Sequence, residues 1–297
     1  MTSNPMIRLN DGAEMPTIGF GVLFSSGNET IEMVKTAIGS GYRLIDTAAA
    51  YRNEEQVGEA IRQSGIDRSE LFVTTKLFLA DYGYDEAMRG FDTSMEKLGL
   101  DYLDLYLLHW PVPRNFDATL ASWRALEDLQ AAGRIRSIGV CNFNPDHLDN
   151  LIVQSRVVPA VNQVELNPYF TQADVRVANV RHGIVTQAWS PIGGVNRYWA
   201  ENPEAPRDPL SDQVVTKLAA KYRKTPAQII LRWHVQHGNS AIPKSSNPER
   251  IRQNIDIFDF RLTRSEMSAL DVLDTGLRGG PDPEVNDLKA IRNRTAK

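Results

Sequence analysis

Four side chains of complementary chemistry lie in the first half of the chain: a carboxylate at Asp46, a phenol at Tyr51, an amine at Lys76 and an imidazole at His109. Together they could move a proton. A phenol with a pKa near ~10 is a weak acid at neutral pH, and an ammonium beside it stabilises the phenolate and lowers that pKa. A carboxylate would hold the ammonium in place. An imidazole N–H could meet an oxygen on which negative charge develops. Taken singly, each has a plainer reading: a helix cap, a loop tyrosine, a solvated lysine, a core histidine. Everything depends on whether the fold gathers them.

Short apolar runs alternate with segments of helical period, the pattern of parallel βα units. Strands are expected at 17–21, 42–47, 71–76, 103–109, 135–141, 160–165, 184–189 and 241–243. The helices between and after them are expected at 28–40, 54–63, 85–98, 117–132, 144–154, 171–182, 210–222 with 226–236, and 248–254. Gly133 sits where a glycine ends a helix, and Thr225-Pro226 is a good helix start. Eight such units predict an α/β fold, a (β/α)8 TIM barrel forming one domain over residues 1–297. Asn10-Asp11-Gly12 predicts an N-terminal β-hairpin that could plug one end. An extra C-terminal helix at 263–273, capped by Thr263 with Glu266, precedes a Gly/Pro-rich tail at 275–285. The rival doubly wound sheet lacks its phosphate fingerprint, because Phe24 stands where the third glycine of Gly19-Phe20-Gly21 onward should be. In a parallel barrel the active face is at the carboxyl ends of the strands. Asp46, Lys76 and His109 lie at three successive strand ends, with Tyr51 in the loop after Asp46.

The totals remove other classes. With 33 basic and 37 acidic residues the net charge is −4, which offers no general attraction to nucleic acid or an anionic membrane. Cys141 is the only cysteine, so no intrachain disulfide and no cysteine-based metal cluster can form. His109, His147, His182, His234 and His237 show no ligand pattern at strand ends beyond His109 itself, so no metal is expected and a metal-dependent hydrolase is set aside. The first residues lack a secretory signal, and no run approaches the ~20 apolar residues that span a bilayer. A cytoplasmic monomer is expected.

The stretch Leu44-Ile45-Asp46-Thr47-Ala48-Ala49-Ala50-Tyr51-Arg52-Asn53-Glu54 resembles the DTAxxYxNE signature of the aldo-keto reductase family. Leu107-Leu108-His109-Trp110-Pro111 resembles its LHWP element, and Ile242-Pro243-Lys244-Ser245 through Arg250 and Asn254 its IPKS…R…N element. Gly139-Val140-Cys141-Asn142-Phe143 and Val161-Asn162-Gln163 are similar to two more segments. The resemblance runs from about Ile7 to Pro283. It implies that Asp46, Tyr51, Lys76 and His109 are a catalytic tetrad for NADPH-dependent reduction of aldehydes and ketones, with the proton coming from Tyr51. It further implies that Asn142 and Gln163 bond the nicotinamide carboxamide, that Trp189 stacks on its ring, and that Ser190, Ile192 and Gly193 cover the pyrophosphate. Lys244, Ser245, Asn247 and Arg250 would hold the 2′-phosphate, and Gln253 and Asn254 would contact adenine. Two cations at a helix start oppose the helix dipole, so an anionic ligand explains Lys244 and Arg250 better than solvation does and favours NADPH over NADH.

Phe24 and Trp110 are expected as apolar walls for a small carbonyl substrate. Cys141, Trp189 and Gln253 depart from the commoner serine, tyrosine and glutamate, which bears on cofactor affinity. The stretch 195–209 is either a lid or a surface insertion, and the tail resembles those of bacterial 2,5-diketo-gluconate reductase-like members. His109 argues against the branch with glutamate there, which reduces steroid double bonds. The alternatives are a cofactor-sensing regulatory subunit with weak reductase activity, for which the N-terminus is short, and an NADH-preferring dehydrogenase, against which Lys244 and Arg250 argue.

Overall fold

The computed structural model of the chain describes residues 4–195 and 208–287. Eight parallel strands form one sheet: β3 (Phe20–Gly21), β4 (Leu44–Asp46), β5 (Phe72–Leu77), β6 (Leu103–Leu108), β7 (Ile135–Cys141), β8 (Val161–Glu165), β9 (Val185–Trp189) and β10 (Ser240–Ala241). They neighbour one another in chain order, the arrangement of a singly wound parallel barrel. A parallel bridge from Ile18 to Ala241, with Gly19 N donating to Ala241 O at 2.9 Å, joins the first strand to the last and closes the (β/α)8 barrel. The strands read as near-continuous apolar runs because both faces are covered. Every residue of β6, Leu-Asp-Leu-Tyr-Leu-Leu, is buried.

Successive side chains of a strand point to opposite faces. Leu44, Phe72, Leu105, Leu107, Cys141 and Val161 pack together in the lumen, while Ile45, Val73, Tyr106 and Leu108 pack against the helices. The same parity carries Asp46, Lys76, Gln163, Gln187 and Trp189 to the lumen side at the upper ends of their strands.

The helical layer comprises α1 (Gly27–Gly39), α2 (Glu54–Ser64), α3 (Tyr84–Leu98), α4 (Phe116–Ala131), α5 (Pro145–Ile152), α6 (Ala173–Arg181), α7 (Gln213–Tyr222), α8 (Pro226–Gln236), α9 (Pro248–Ile255) and α10 (Arg264–Asp271). Gly133 lies one residue past the cap of α4 with φ 74°, and Thr225 caps α8 reciprocally with Gln228. Thr263 and Glu266 form the same box on the extra helix α10. The hairpin of β1 (Met6–Arg8) and β2 (Glu14–Pro16) plugs the lower end: Leu9 and Met15 join the lumen cluster, and Asn10 Nδ2 donates to Pro159 O at 2.9 Å.

The ends of some elements are shorter than expected. The last strand stops at Ala241 rather than 243, because Pro243 has no N–H to continue the ladder. The segment before α7 is a single turn, Pro209–Ser211, after which Asp212 caps the helix. Of the stretch 195–209, expected as a lid or a surface insertion, residues 196–207 lie outside the described residues.

Candidate active site

The upper end of the barrel holds a buried ion pair. Lys76, with no solvent exposure, donates from Nζ to Asp46 Oδ1 at 2.6 Å and to the Thr47 carbonyl at 2.8 Å. The other carboxylate oxygen accepts from Gln163 Nε2 at 2.7 Å, and Gln163 also donates to Gln187 Oε1 at 2.7 Å. Satisfying both oxygens is what a carboxylate needs to stay charged away from water.

Tyr51 ends a single 3-10 turn, Ala49–Tyr51, that leaves the chain through Arg52 in a left-handed conformation. Asn53 fixes the turn: its Oδ1 accepts from Thr47 Oγ1 at 2.8 Å and its Nδ2 donates to Val22 O at 3.0 Å. Lys76 Nζ lies 5.2 Å from the centre of the Tyr51 ring. The His109 ring meets the Tyr51 ring edge to face at 6.0 Å. All four sequence-predicted residues therefore converge.

Burial dominates the electrostatics. It pushes the Tyr51 phenol up to about 12, with Lys76 pulling it down and Asp46 pushing it up. The net direction corrects the expectation from sequence: Lys76 opposes the rise but does not bring the phenol below its ordinary value. The reason is burial, which outweighs the pull of the Lys76 charge, and Asp46 adds a smaller push in the same direction as burial. Burial disfavours the Lys76 ammonium, yet Asp46 and Tyr51 hold its pKa above the ordinary lysine range. Burial and the Lys76 charge push His109 down to about 3, leaving a neutral imidazole. A neutral imidazole can still donate one N–H to an oxygen.

Trp110 is 8% exposed and lies nearly parallel to His109 at 6.2 Å, whereas Phe24, in a left-handed conformation, is 66% exposed. Tyr82 supports this wall: its hydroxyl donates to Trp110 O at 2.7 Å and accepts from Trp110 N at 3.1 Å. Sequence reasoning missed Tyr82, which has no motif around it.

The expected cofactor residues fall into two groups. Around the tetrad, Trp189 Nε1 donates to Asn142 Oδ1 at 2.8 Å, and Asn142 Nδ2 donates to His109 O at 3.1 Å. Asn142 sits in a left-handed conformation just after β7. The amide N–H groups of Asn142 and Gln163 are thus engaged by the protein, and so is the Asn142 oxygen. Ser190, left-handed, accepts from Val195 N at 2.7 Å, and Ile192 packs on the core. A Cβ on Gly193 would come within 2.4 Å of Pro209. The second group follows β10. Asn247 Oδ1 caps α9, accepting from Glu249 N and Arg250 N at 2.9 and 3.1 Å, and Ser245 Oγ accepts from Asn247 N at 3.1 Å. Gln253 donates to Glu249 at 3.1 Å, and Asn254 is buried. Asn247 is therefore first a helix cap. Among the described residues neither Lys244 nor Arg250 forms a salt bridge; Arg250 stands in the first turn of α9 and Lys244 three residues before its cap.

The chain is similar along almost its whole length to known proteins. The chain is 57% identical over 289 residues to morphine 6-dehydrogenase of Pseudomonas putida, covering 97% of each chain. It is 45% identical to methylglyoxal reductase DkgA of Yersinia pestis, covering 96% of this chain and 98% of that protein. The crystal structure of a Bombyx mori aldo-keto reductase in complex with NADP superposes with a TM-score of 0.87 at 38% identity, covering 99% of this chain and 98% of that one. Residues 17–275 match the aldo/keto reductase family itself, and with the closed barrel and the converged tetrad this places the chain in the aldo/keto reductase family.

Proposed function

We propose that the protein reduces aldehydes and ketones, among them small carbonyls, α-dicarbonyls and keto-sugars, with NADPH as the reductant. The observation that carries the reading is the buried Lys76–Asp46 pair beside Tyr51, with a neutral His109 at the edge of the same ring. Bound NADPH would supply the hydride. Tyr51 holds the proton for the carbonyl oxygen, and Lys76 stabilises the phenolate left behind. His109 offers an N–H to the same oxygen as it gains charge. Trp110 and Phe24 wall the substrate side.

The residues present suit a dinucleotide phosphate. Lys244 and Arg250 are cations outside any salt bridge among the described residues; Arg250 stands in the first turn of α9, where the helix dipole disfavours a cation, and Lys244 precedes the cap Asn247 by three residues. The 2′-phosphate of NADPH would supply an anion for both. Asn142, Gln163 and Trp189 would hold the nicotinamide end, Ser190, Ile192 and Gly193 the pyrophosphate, and Ser245, Asn247, Gln253 and Asn254 the adenosine end.

The relatives favour two substrate shapes, a small α-dicarbonyl and a polycyclic secondary alcohol, so the assay runs in both directions. NADPH absorbance is followed with methylglyoxal, a keto-sugar and a ring ketone, and NADP reduction is followed with morphine. Turnover of at least one carbonyl at a rate lost in Tyr51→Phe is expected. Cofactor binding with no turnover of any substrate would instead favour a sensing subunit.

A further inference from the structure

β8 and β9 run side by side with Glu165 and Trp189 as register partners at their upper ends. Glu165 is fully buried. Its two carboxylate oxygens accept separately from consecutive backbone amides of the tail, Oε1 from Gly279 N and Oε2 from Gly280 N, each at 2.8 Å. A neutral packing residue could cover the tail, but only a two-oxygen acceptor fixes the register of two adjacent N–H groups. Burial pushes the carboxyl up, and the two amides and Arg278 counter it. Arg278 itself lies over the Phe170 ring at 4.9 Å.

The clamp sets the tail against the indole. A Cβ on Gly280 would come within 2.7 Å of Trp189 Cη2 and 3.0 Å of Glu165 Oε2, so glycine is required for this approach. The opposite side of the indole is held by its N–H to Asn142, which in turn bonds the backbone of His109. Contacts thus run without a break from the tail through Trp189 to the tetrad.

We propose that Glu165 is a positioning residue, and that by pinning Gly279 and Gly280 it fixes the indole of Trp189 for the nicotinamide. The inference rests on the stacking reading of Trp189 given above. The bonds of Glu165 are to the tail amides of Gly279 and Gly280. It acts through the tail.

The test measures NADPH quenching of tryptophan fluorescence together with steady-state kinetics on methylglyoxal. The quenching lost in Trp189→Phe defines the share that belongs to this indole. In Glu165→Ala and in Gly280→Ala that share falls, and kcat at saturating NADPH drops about tenfold or more, while KM for methylglyoxal changes much less. Glu165→Gln, which keeps the size and one acceptor oxygen, falls between. Gly280→Ala leaves the buried carboxylate in place, so a defect there is not a folding loss at Glu165. Wild-type kcat and quenching in both Glu165→Ala and Gly280→Ala would overturn the proposal, as would a kcat loss with the Trp189 share intact. Quenching that survives Trp189→Phe in full would overturn the stacking reading itself, whatever the Glu165 variants do.

Discussion

A tyrosine can protonate an alkoxide only while it still carries its proton. Burial pushes the Tyr51 phenol up to about 12, so the acid form is present across the ordinary pH range. His109, pushed down to about 3, stays neutral over the same range. Neither group changes charge between about pH 5 and pH 9, given these directions. The rate of carbonyl reduction is therefore expected to be flat there and to fall only at higher pH, as the phenol loses its proton. Tyr51→Phe should lower kcat by about 100- to 10,000-fold with NADPH affinity near wild type; a rate within a few-fold of wild type would remove Tyr51 as the acid. At the other end of the site, Arg250→Ala should weaken NADPH by about tenfold and leave NADH nearly unchanged, read from the two dissociation constants. Equal losses would refute a 2′-phosphate contact. The tetrad is legible in the sequence because strand parity decides which side chains enter the lumen, and Asp46 and Lys76 fall on that side of their strands. Tyr82 and Glu165 are not legible there. Glu165 meets Gly279 across 114 positions, a pairing that exists only once the barrel has closed and the tail has folded back.

At the scale of elements, helix caps and strand runs are readable because their causes are local. Thr225 with Gln228 and Thr263 with Glu266 form the boxes their spacing requires. Strand ends are less readable, since the last residue of a ladder depends on its neighbour: β3 narrows to two residues beside a two-residue reach of register with β4. Contacts between helices are not readable at all, and Gly58 in α2 shows why. In isolation it is a weak point, since alanine there would gain about 1 kcal/mol of helix propensity. In the fold, a Cβ on Gly58 would lie 2.1 Å from the carbonyl oxygen of Leu98, the last residue of α3. That oxygen is backbone, and Gly99 in a left-handed conformation closes the helix just beyond it. Overpacking of this kind costs about 1–3 kcal/mol, more than the propensity gain. Gly58→Ala should thus lower the urea midpoint despite a better helix former. An unchanged or higher midpoint would mean that α2 and α3 can separate freely.

At the scale of the whole molecule, the barrel holds titratable groups whose neutral forms are part of the folded state. His234 in α8 is fully buried, and its Nε2 faces the carbonyl oxygen of Pro191 at 2.9 Å, so that nitrogen must donate. Pro191 belongs to the loop that carries Ser190, Ile192 and Gly193, so the contact ties the outer helical layer to the expected pyrophosphate cover. Burial pushes His234 down to about 3, the Pro191 bond opposing this and His237 and Arg176 adding to it. Below about 6.5 the unfolded chain takes up a proton that the folded chain refuses. The stability from a neutral His234 is therefore complete above that pH and is lost progressively as pH falls toward 3. At pH 5 the loss is about 2 kcal/mol, and His109 adds a loss of the same kind. Glu266, held down to about 2 against its partial burial by Lys221, Tyr222 and Thr263, loses its contribution only at lower pH, from the ordinary glutamate value downward. The two windows overlap only below the ordinary glutamate value of 4.5, so at pH 5 and above the histidine loss stands apart. His234→Gln keeps an N–H for Pro191 and removes the titration. Its Tm at pH 7 should be somewhat below wild type, because the amide fills the site less well. Between pH 7 and pH 5, however, its Tm should fall less than that of the wild type. Parallel curves for the two proteins would show that His234 takes up its proton without cost to the fold, and that the link between α8 and the loop after β9 does not depend on its charge.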